Sequence, residues 1–305
     1  MSARITGLGA HRPAHREDNT AVAARTGSSD TWIRERSGIV TRGVAADGEG
    51  VVEMAASAGQ KALVDAGLVL LATTTLLRLT PAGAPEVAHR LGAASAGALD
   101  LGAACAGFTY GLALAADVVG GGTAEHVLVV GAERFRDVVD PHDRTTAFLF
   151  GDGAGAAVVS RSDRRGVFPA VWLHDGSAAE AIRTEGVPQV VRMEGRAVYR
   201  WATTTVPGLA RRACAAAGLE LDDLAAFVPH QANLRITEAV VRQLGLPDHV
   251  AVADDVVDSG NTSGASVPLA LARLREQGRV SPGDPVLLAG FGAGLTAAAQ
   301  VVLCP

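Results

Sequence analysis

From Ala98 to Gly131 the chain reads ALDLGAACAGFTYGLALAADVVGGGTAEHVLVVG. An apolar run, Ala98–Gly102, is followed by Cys105, then by a helical pattern over Gly107–Gly120, then by a second apolar run, Val127–Gly131. Short Val/Leu runs closed by glycine suit strands buried on both faces, and the Ala-rich stretch between them suits a crossover helix. The same order returns later. Gly264-Ala265-Ser266 opens another helical pattern and Val286–Gly290 forms another apolar run; Gly264 follows Cys105, and Val286 follows Val127, by the same 159 residues. Such an echo predicts two similar halves. The polar segment Ser162-Asp163-Arg164-Arg165-Gly166 suits their junction. Residues 1–162 would then carry the cysteine and 163–305 the second unit.

Working outward, Val69–Thr73, Gly155–Ser160 and Ala226–Val228 read as further strands. Val51–Gly67, Ala84–Leu91, Val206–Ala217, Leu234–Leu244 and Ser266–Gln277 read as helices. The alternation predicts an α/β protein whose sheets are covered by helices. Two connections are terse. Ala66-Gly67-Leu68 passes from helix to strand with almost no turn, and Ile182–Val191 is short, so trimmed loops are expected at both.

Composition narrows the chemistry. With 48% hydrophobic and 19% charged residues the chain is a folded globular protein. A net charge of -5 offers no basic field to nucleic acid. No apolar run reaches the roughly 18 residues of a membrane span, and the first residues lack a signal-peptide core, so a cytoplasmic protein away from membranes is expected. The one lysine, Lys61, has no phosphate loop around it. The three cysteines form no C-x-x-C pair, which argues against zinc and against a disulfide framework.

Cys105 stands where a strand gives way to a helix, a placement that favours a thiolate because free N–H groups and the helix dipole stabilise negative charge. A lone Cys flanked by alanines is more often a small buried hydrophobe, and the later segments reverse that reading. His230, in Val228-Pro229-His230-Gln231-Ala232-Asn233, and Asn261, in Ser259-Gly260-Asn261-Thr262-Ser263, also fall at strand-to-helix turns. A thiol nucleophile needs partners that stabilise charge, and a His/Asn pair of donors suits the oxygen of a second substrate. Gly290-Phe291-Gly292-Ala293-Gly294 lies too near the C-terminus to open a dinucleotide-binding unit; a turn of small residues there offers backbone N–H groups to an oxyanion. Gly151-Asp152-Gly153-Ala154-Gly155 reads as tight packing beside the site.

Four segments together resemble β-ketoacyl-acyl carrier protein synthase III, a thiolase-fold condensing enzyme. They are Ala104-Cys105-Ala106-Gly107-Phe108, Phe150-Gly151-Asp152-Gly153-Ala154-Gly155-Ala156, Pro229-His230-Gln231-Ala232-Asn233 and Gly260-Asn261-Thr262-Ser263, and the likeness runs from about Ile5 to Val302. The resemblance implies a thiolase-like fold of two similar halves, layered α-β-α-β-α. It implies that Cys105 carries an acyl group as a thioester, that His230 and Asn261 bind a malonyl thioester, and that the N–H groups of Cys105 and Ala293 form the oxyanion hole. Trp32, Arg36 and Arg144 match residues that hold coenzyme A, Asn233 one near the pantetheine, and Arg235 one that docks the carrier protein. Thr80 and Phe291 match acyl-pocket positions. Acyl-CoA and acyl-carrier protein are the implied substrates, with no permanently bound cofactor or metal, and a homodimer is the implied assembly.

Some positions depart from the housekeeping pattern. Thr80 replaces a bulky aromatic, Ala297-Ala298 stands where Trp-Gly is common, and Ala293 replaces glycine. These point to a relative from secondary metabolism that primes a polyketide, or that transfers an acyl group to a carrier thiol, hydroxyl or amine without condensation. The intact Cys105, His230 and Asn261 argue against a non-catalytic chain-length factor.

Overall fold

The computed structural model describes residues 2–62 and 65–305. In chain order the strands and helices are β1 (Ser2–His11), β2 (Arg16–Asp18), α1 (Asn19–Thr26), α2 (Asp30–Ser37), β3 (Thr41–Gly43), α3 (Val51–Ala62), β4 (Leu68–Ala72), α4 (Ala84–Arg90), β5 (Gly97–Leu101), α5 (Gly107–Gly120), β6 (His126–Glu133) and β7 (Gly153–Ser162). There follow β8 (Val171–His174), β9 (Ile182–Glu185), β10 (Val190–Met193), α6 (Gly195–Ala217), β11 (Ala226–Pro229), α7 (Leu234–Leu244), β12 (Ala251–Val252), α8 (Val256–Ser259), α9 (Ser266–Glu276), β13 (Pro285–Gly292) and β14 (Thr296–Leu303).

Two five-stranded sheets dominate, ordered β1-β7-β6-β4-β5 and β8-β14-β13-β11-β12. In each, the first three strands pair antiparallel and the last three parallel. The two sheets therefore share one topology, with β6 matching β13 and β4 matching β11. Strand pleating sorts the side chains. Val127 and Val129 of β6, with Val286 and Leu288 of β13, face a central core filled by α5 and α9. Leu128 and Val130 face an outer core under α3 and α4, and Leu287 and Ala289 face one under α6 and α7. The layers run helix, sheet, helix pair, sheet, helix, the thiolase-like architecture.

Several elements depart from expectation. The helix read over Val51–Gly67 ends at Ala62 as described; Leu63 and Val64 lie outside the described residues, and Asp65–Gly67 is not helical. The helix read from Val206 begins at Gly195, because Pro207 lies inside it rather than at its start. The terse segment from Ile182 is a small hairpin, β9–β10, with Gly186 at its turn in a left-handed conformation. Among the described residues no helix is long and apolar enough to cross a membrane.

The central helices matter most for chemistry. Each is entered through a short 3-10 turn, Ala104–Ala106 before α5 and Ser263–Ala265 before α9. Ala104 (φ 45°) and Ser263 (φ 44°) are non-glycine residues in the left-handed region. That conformation costs roughly 1–2 kcal/mol for an L-residue. They occupy equivalent places in the two halves, so the fold strains the same turn twice, beside the same cavity.

Candidate active site

The two strained turns meet at the floor of a cavity of about 1180 Å³. Cys105, His230, Asn261, Ser263, Phe291 and Ala293 all line it. Cys105 reaches the floor because Gly292 has no side chain. A Cβ there would lie 2.6 Å from Cys105 Cβ and 2.9 Å from its Sγ.

The electrostatics of Cys105 differ from the expected thiolate. Burial pushes its pKa up to about 11; Ser263 and the N–H groups of Cys105 and Ala293 pull the other way, and Glu133 adds to the rise. Desolvation outweighs the turn's donors, so the resting nucleophile is a thiol. The N–H groups of Cys105 and Ala293 are near enough to the sulfur to stabilise negative charge on it.

His230 sits at the end of β11 and is buried. Burial alone holds its pKa down to about 3, so the ring is neutral. Its Nδ1 lies 2.7 Å from Ser266 Oγ, which also accepts the Gln231 N–H. Among the described residues the Ser266 hydroxyl has no other acceptor for its proton, so it donates to Nδ1, which leaves the imidazole proton on Nε2. Phe291 packs its ring edge-on to the imidazole at 5.1 Å and fixes its plane.

Asn261 is clamped through its backbone. Its N–H donates to Leu149 O (2.8 Å) and its carbonyl accepts from Gly151 (3.0 Å), joining the second half to the segment before β7. Its side-chain Oδ1 accepts the Ser263 N–H at 2.9 Å, which leaves the NH₂ as the free donor. The site therefore holds two neutral donors, His230 Nε2 and Asn261 Nδ2, beside a thiol.

The outer residues are partly assembled. Arg144 and Arg36 lie 4.7 and 5.5 Å from the Trp32 ring centre, and Arg36 lines the cavity. The indole and guanidinium groups are together, yet a planar base stacked between Trp32 and Arg144 needs about twice the ~3.5 Å stacking distance. Asn233 lines the cavity, but its Oδ1 caps α7 by accepting from Ile236 (3.0 Å), so only its NH₂ is available. Arg235 is exposed at the mouth, its guanidinium 6.0 Å from the Tyr199 ring centre. Thr80 departs from expectation: it is exposed and does not line the cavity. Leu76, Arg78 and Leu79 of the same loop line that side instead. Among the described residues no group of three or more His, Cys, Asp or Glu side chains could hold a metal ion.

Sequence reading missed one member of the site. Glu133, the last residue of β6, is fully buried and accepts from Thr75 Oγ1 (2.8 Å), Thr74 N (3.0 Å) and Gly264 N (3.3 Å). The available signal was an acid closing an otherwise apolar strand.

Family models for 3-oxoacyl-[acyl-carrier-protein] synthase III match residues 99–176 and, for its C-terminal part, 214–304. Beta-ketoacyl-[acyl-carrier-protein] synthase III 4 of Streptomyces coelicolor is 49% identical, covering 100% of this chain and 99% of that protein. The chain belongs to the β-ketoacyl-[acyl-carrier-protein] synthase III family. It is an acyltransferase of the condensing type. The synthase III of Streptomyces glaucescens is 46% identical over 99% of this chain and 96% of its own. Among solved structures, the priming β-ketosynthase of the R1128 polyketide pathway superposes with a TM-score of 0.97 at 43% identity, covering 100% and 96% of the two chains. The synthase III of Pseudomonas aeruginosa gives 0.95 at 39% identity, covering 100% and 99%.

Proposed function

We propose that Cys105 takes an acyl group from acyl-CoA or an acyl-carrier protein and passes it to the enolate of a malonyl-carrier protein, priming a fatty-acid or polyketide chain. The observation that carries this reading is the pairing of a thiol with two neutral donors, His230 Nε2 and Asn261 Nδ2, on one cavity floor. Cys105 Sγ attacks the donor carbonyl, its proton leaves with the departing thiol, and the N–H groups of Cys105 and Ala293 receive the oxyanion. A malonyl thioester then enters with its carbonyl oxygen on His230 and Asn261. Loss of carbon dioxide leaves an enolate that these donors stabilise, and its carbon attacks the acyl-cysteine. Neutral donors suit this step, since a cationic imidazolium would pair with the malonyl carboxylate and hold it back.

Trp32, Arg36 and Arg144 are proposed to receive the nucleotide of coenzyme A once Arg144 swings off the indole. Asn233 would bond the pantetheine through its NH₂, and Arg235 would meet an acidic carrier protein at the mouth. Phe291 would border the acyl chain. No permanent cofactor is proposed. The assembly is proposed to be a homodimer through the free edge of β5.

Intact-mass spectrometry after exposure to a panel of acyl-CoAs and acyl-carrier proteins tests the reading. One acyl group should add to the wild-type chain and none to Cys105→Ala; label persisting in the variant refutes the nucleophile. Carbon dioxide release coupled to β-ketoacyl product separates condensation from acyl transfer to another thiol, a hydroxyl or an amine.

A further inference from the structure

Glu133 is a buried carboxyl that bonds both the loop after β4 and the strained turn before α9. Its Oε2 accepts from Thr73 Oγ1 (3.3 Å), Thr74 N (3.0 Å) and Thr75 Oγ1 (2.8 Å) on the loop after β4. Its Oε1 accepts from Gly264 N (3.3 Å) on the turn before α9. A Cβ placed on Gly264 would sit 3.4 Å from that oxygen and 3.5 Å from Ala104 O, so Gly264 stands between the carboxyl and the nucleophile's own turn. Ser263, next to Gly264, is 1% exposed and lines the cavity, and its hydroxyl makes no well-formed hydrogen bond at rest. That hydroxyl lies near enough to both Cys105 and Glu133 to bias the protonation of each. An unpartnered buried hydroxyl costs stability, so its presence beside the nucleophile wants a reason.

The reaction has a use for it. In condensation the malonyl carboxylate leaves as carbon dioxide, and the electron pair of that bond forms the new carbon–carbon bond. The acyl C–S bond breaks with its pair on Cys105 Sγ. Each turnover therefore consumes one proton, because the surroundings of Cys105 favour the thiol. His230 cannot supply it: its ring is neutral, and losing Nε2–H would leave an imidazolate. Burial raises the pKa of Glu133, which lets the carboxyl hold a proton where an exposed glutamate would not. The groups facing it are threonine and serine hydroxyls, backbone N–H groups and one titratable side chain, Cys105. Arg134, next in the chain, turns its guanidinium away to Asp137 and the Ala46 carbonyl. Thr74 is exposed to the cavity and its hydroxyl reaches Glu133 at 3.2 Å, which opens a route from solvent to the carboxyl.

We infer that Glu133, acting through the Ser263 hydroxyl, returns to Cys105 Sγ the proton that each condensation consumes, and is itself reprotonated from water past Thr74. The carboxyl O–H breaks as Ser263 Oγ gains the proton, and the serine's own proton passes to sulfur. This rests on Cys105 being the acyl carrier.

The test uses the full chain with acetyl-CoA and isobutyryl-CoA as donors and malonyl-acyl carrier protein as acceptor. Acyl-enzyme formation and carbon dioxide release are timed separately across neutral and mildly alkaline pH. Glu133→Gln and Ser263→Ala should each slow condensation by about a hundredfold while slowing acylation far less. The deficit should be widest where the wild-type carboxyl still holds its proton and should narrow as rising pH ionises it, and Glu133→Asp should restore part of the rate. A deficit that is flat with pH, or equal in the two half-reactions, indicates a turn merely displaced and overturns the inference. So does unchanged condensation in both variants while wild-type Cys105 takes the label. Failure of wild-type Cys105 to take any label overturns the nucleophile assignment first, and the relay with it.

Discussion

At the residue scale, Cys105 is reactive only by virtue of what surrounds it, and Gly292 is the neighbour with least room to give. A methyl there would meet Cys105 Cβ at 2.6 Å and its backbone N at 3.1 Å. Ala104 already holds a left-handed φ, so the turn has no relaxed alternative. Gly292→Ala should therefore lower single-turnover acylation by about a hundredfold, the penalty of roughly 1 Å of misplacement. Wild-type acylation by the folded variant would show that the approach of these two residues does not matter. His230 gives a pH signature. Its folded pKa lies below the ordinary 6.5, at about 3, so its contribution to stability is present above pH 6.5 and is lost as pH falls toward 3. Asp152 acts in the opposite sense. Burial raises it from 3.8 to about 6, so it favours the folded state at low pH and that gain is lost as pH rises through 6. Comparing His230→Gln with wild type isolates the histidine: the wild type should lose up to about 1.4 kcal/mol per pH unit relative to the variant below pH 6.5. Parallel melting curves over that range would contradict it.

At the scale of elements, helix α7 links stability to binding through one side chain. Asn233 caps the helix with Oδ1 and leaves Nδ2 for substrate. Asn233→Asp preserves a good cap and removes the amide donor; it should melt near wild type yet raise KM for the thioester substrate. Asn233→Ala should lose about 1 kcal/mol of stability as well. Equal KM values for wild type and the Asp variant would exclude a substrate contact. The elements also show what a sequence can tell. The Val/Leu strands β4, β6 and β13 declare themselves because both their faces are apolar. β1 does not: it reads SARITGLGAH, and Gly7 and Gly9 are there because a Cβ would press on the Ala62 and Ala58 carbonyls at 2.2 and 1.9 Å. Ala-rich β14 is equally silent, since alanine carries no preference for strands. Cys105, His230 and Asn261 were legible from their turns. Glu133 was not, because its partners Thr75 and Gly264 stand 58 residues before it and 131 after it. Thr80 rests on likeness of position along the chain, which does not report which residues of a loop reach the cavity of a single chain.

At the scale of the whole molecule, the first sheet ends in an uncovered strand. β5 pairs with β4 on one side and with no strand of this chain on the other, among the described residues. An open edge with apolar side chains invites another strand. Leu99 on β5 is 44% exposed, Leu79 on the loop beside it is 100% exposed, and Trp172, stacked on Tyr110 of α5 at 5.7 Å, is 49% exposed. The cavity opens on the same side, where Leu76, Arg78, Leu79, Asp100 and Leu101 line it. A second copy added edge to edge along β5 would bury this surface and close that end of the acyl space, so dimerisation and substrate choice become one property. Wild type should sediment at twice its 31.0 kDa chain mass. Leu99→Asp places a charge at the centre of the joint and should shift the protein toward monomer, with acylation by short acyl-CoAs falling in proportion to the dimer lost. A variant that remains dimeric moves the joint elsewhere. One that becomes monomeric yet acylates normally shows that a single chain closes its own pocket.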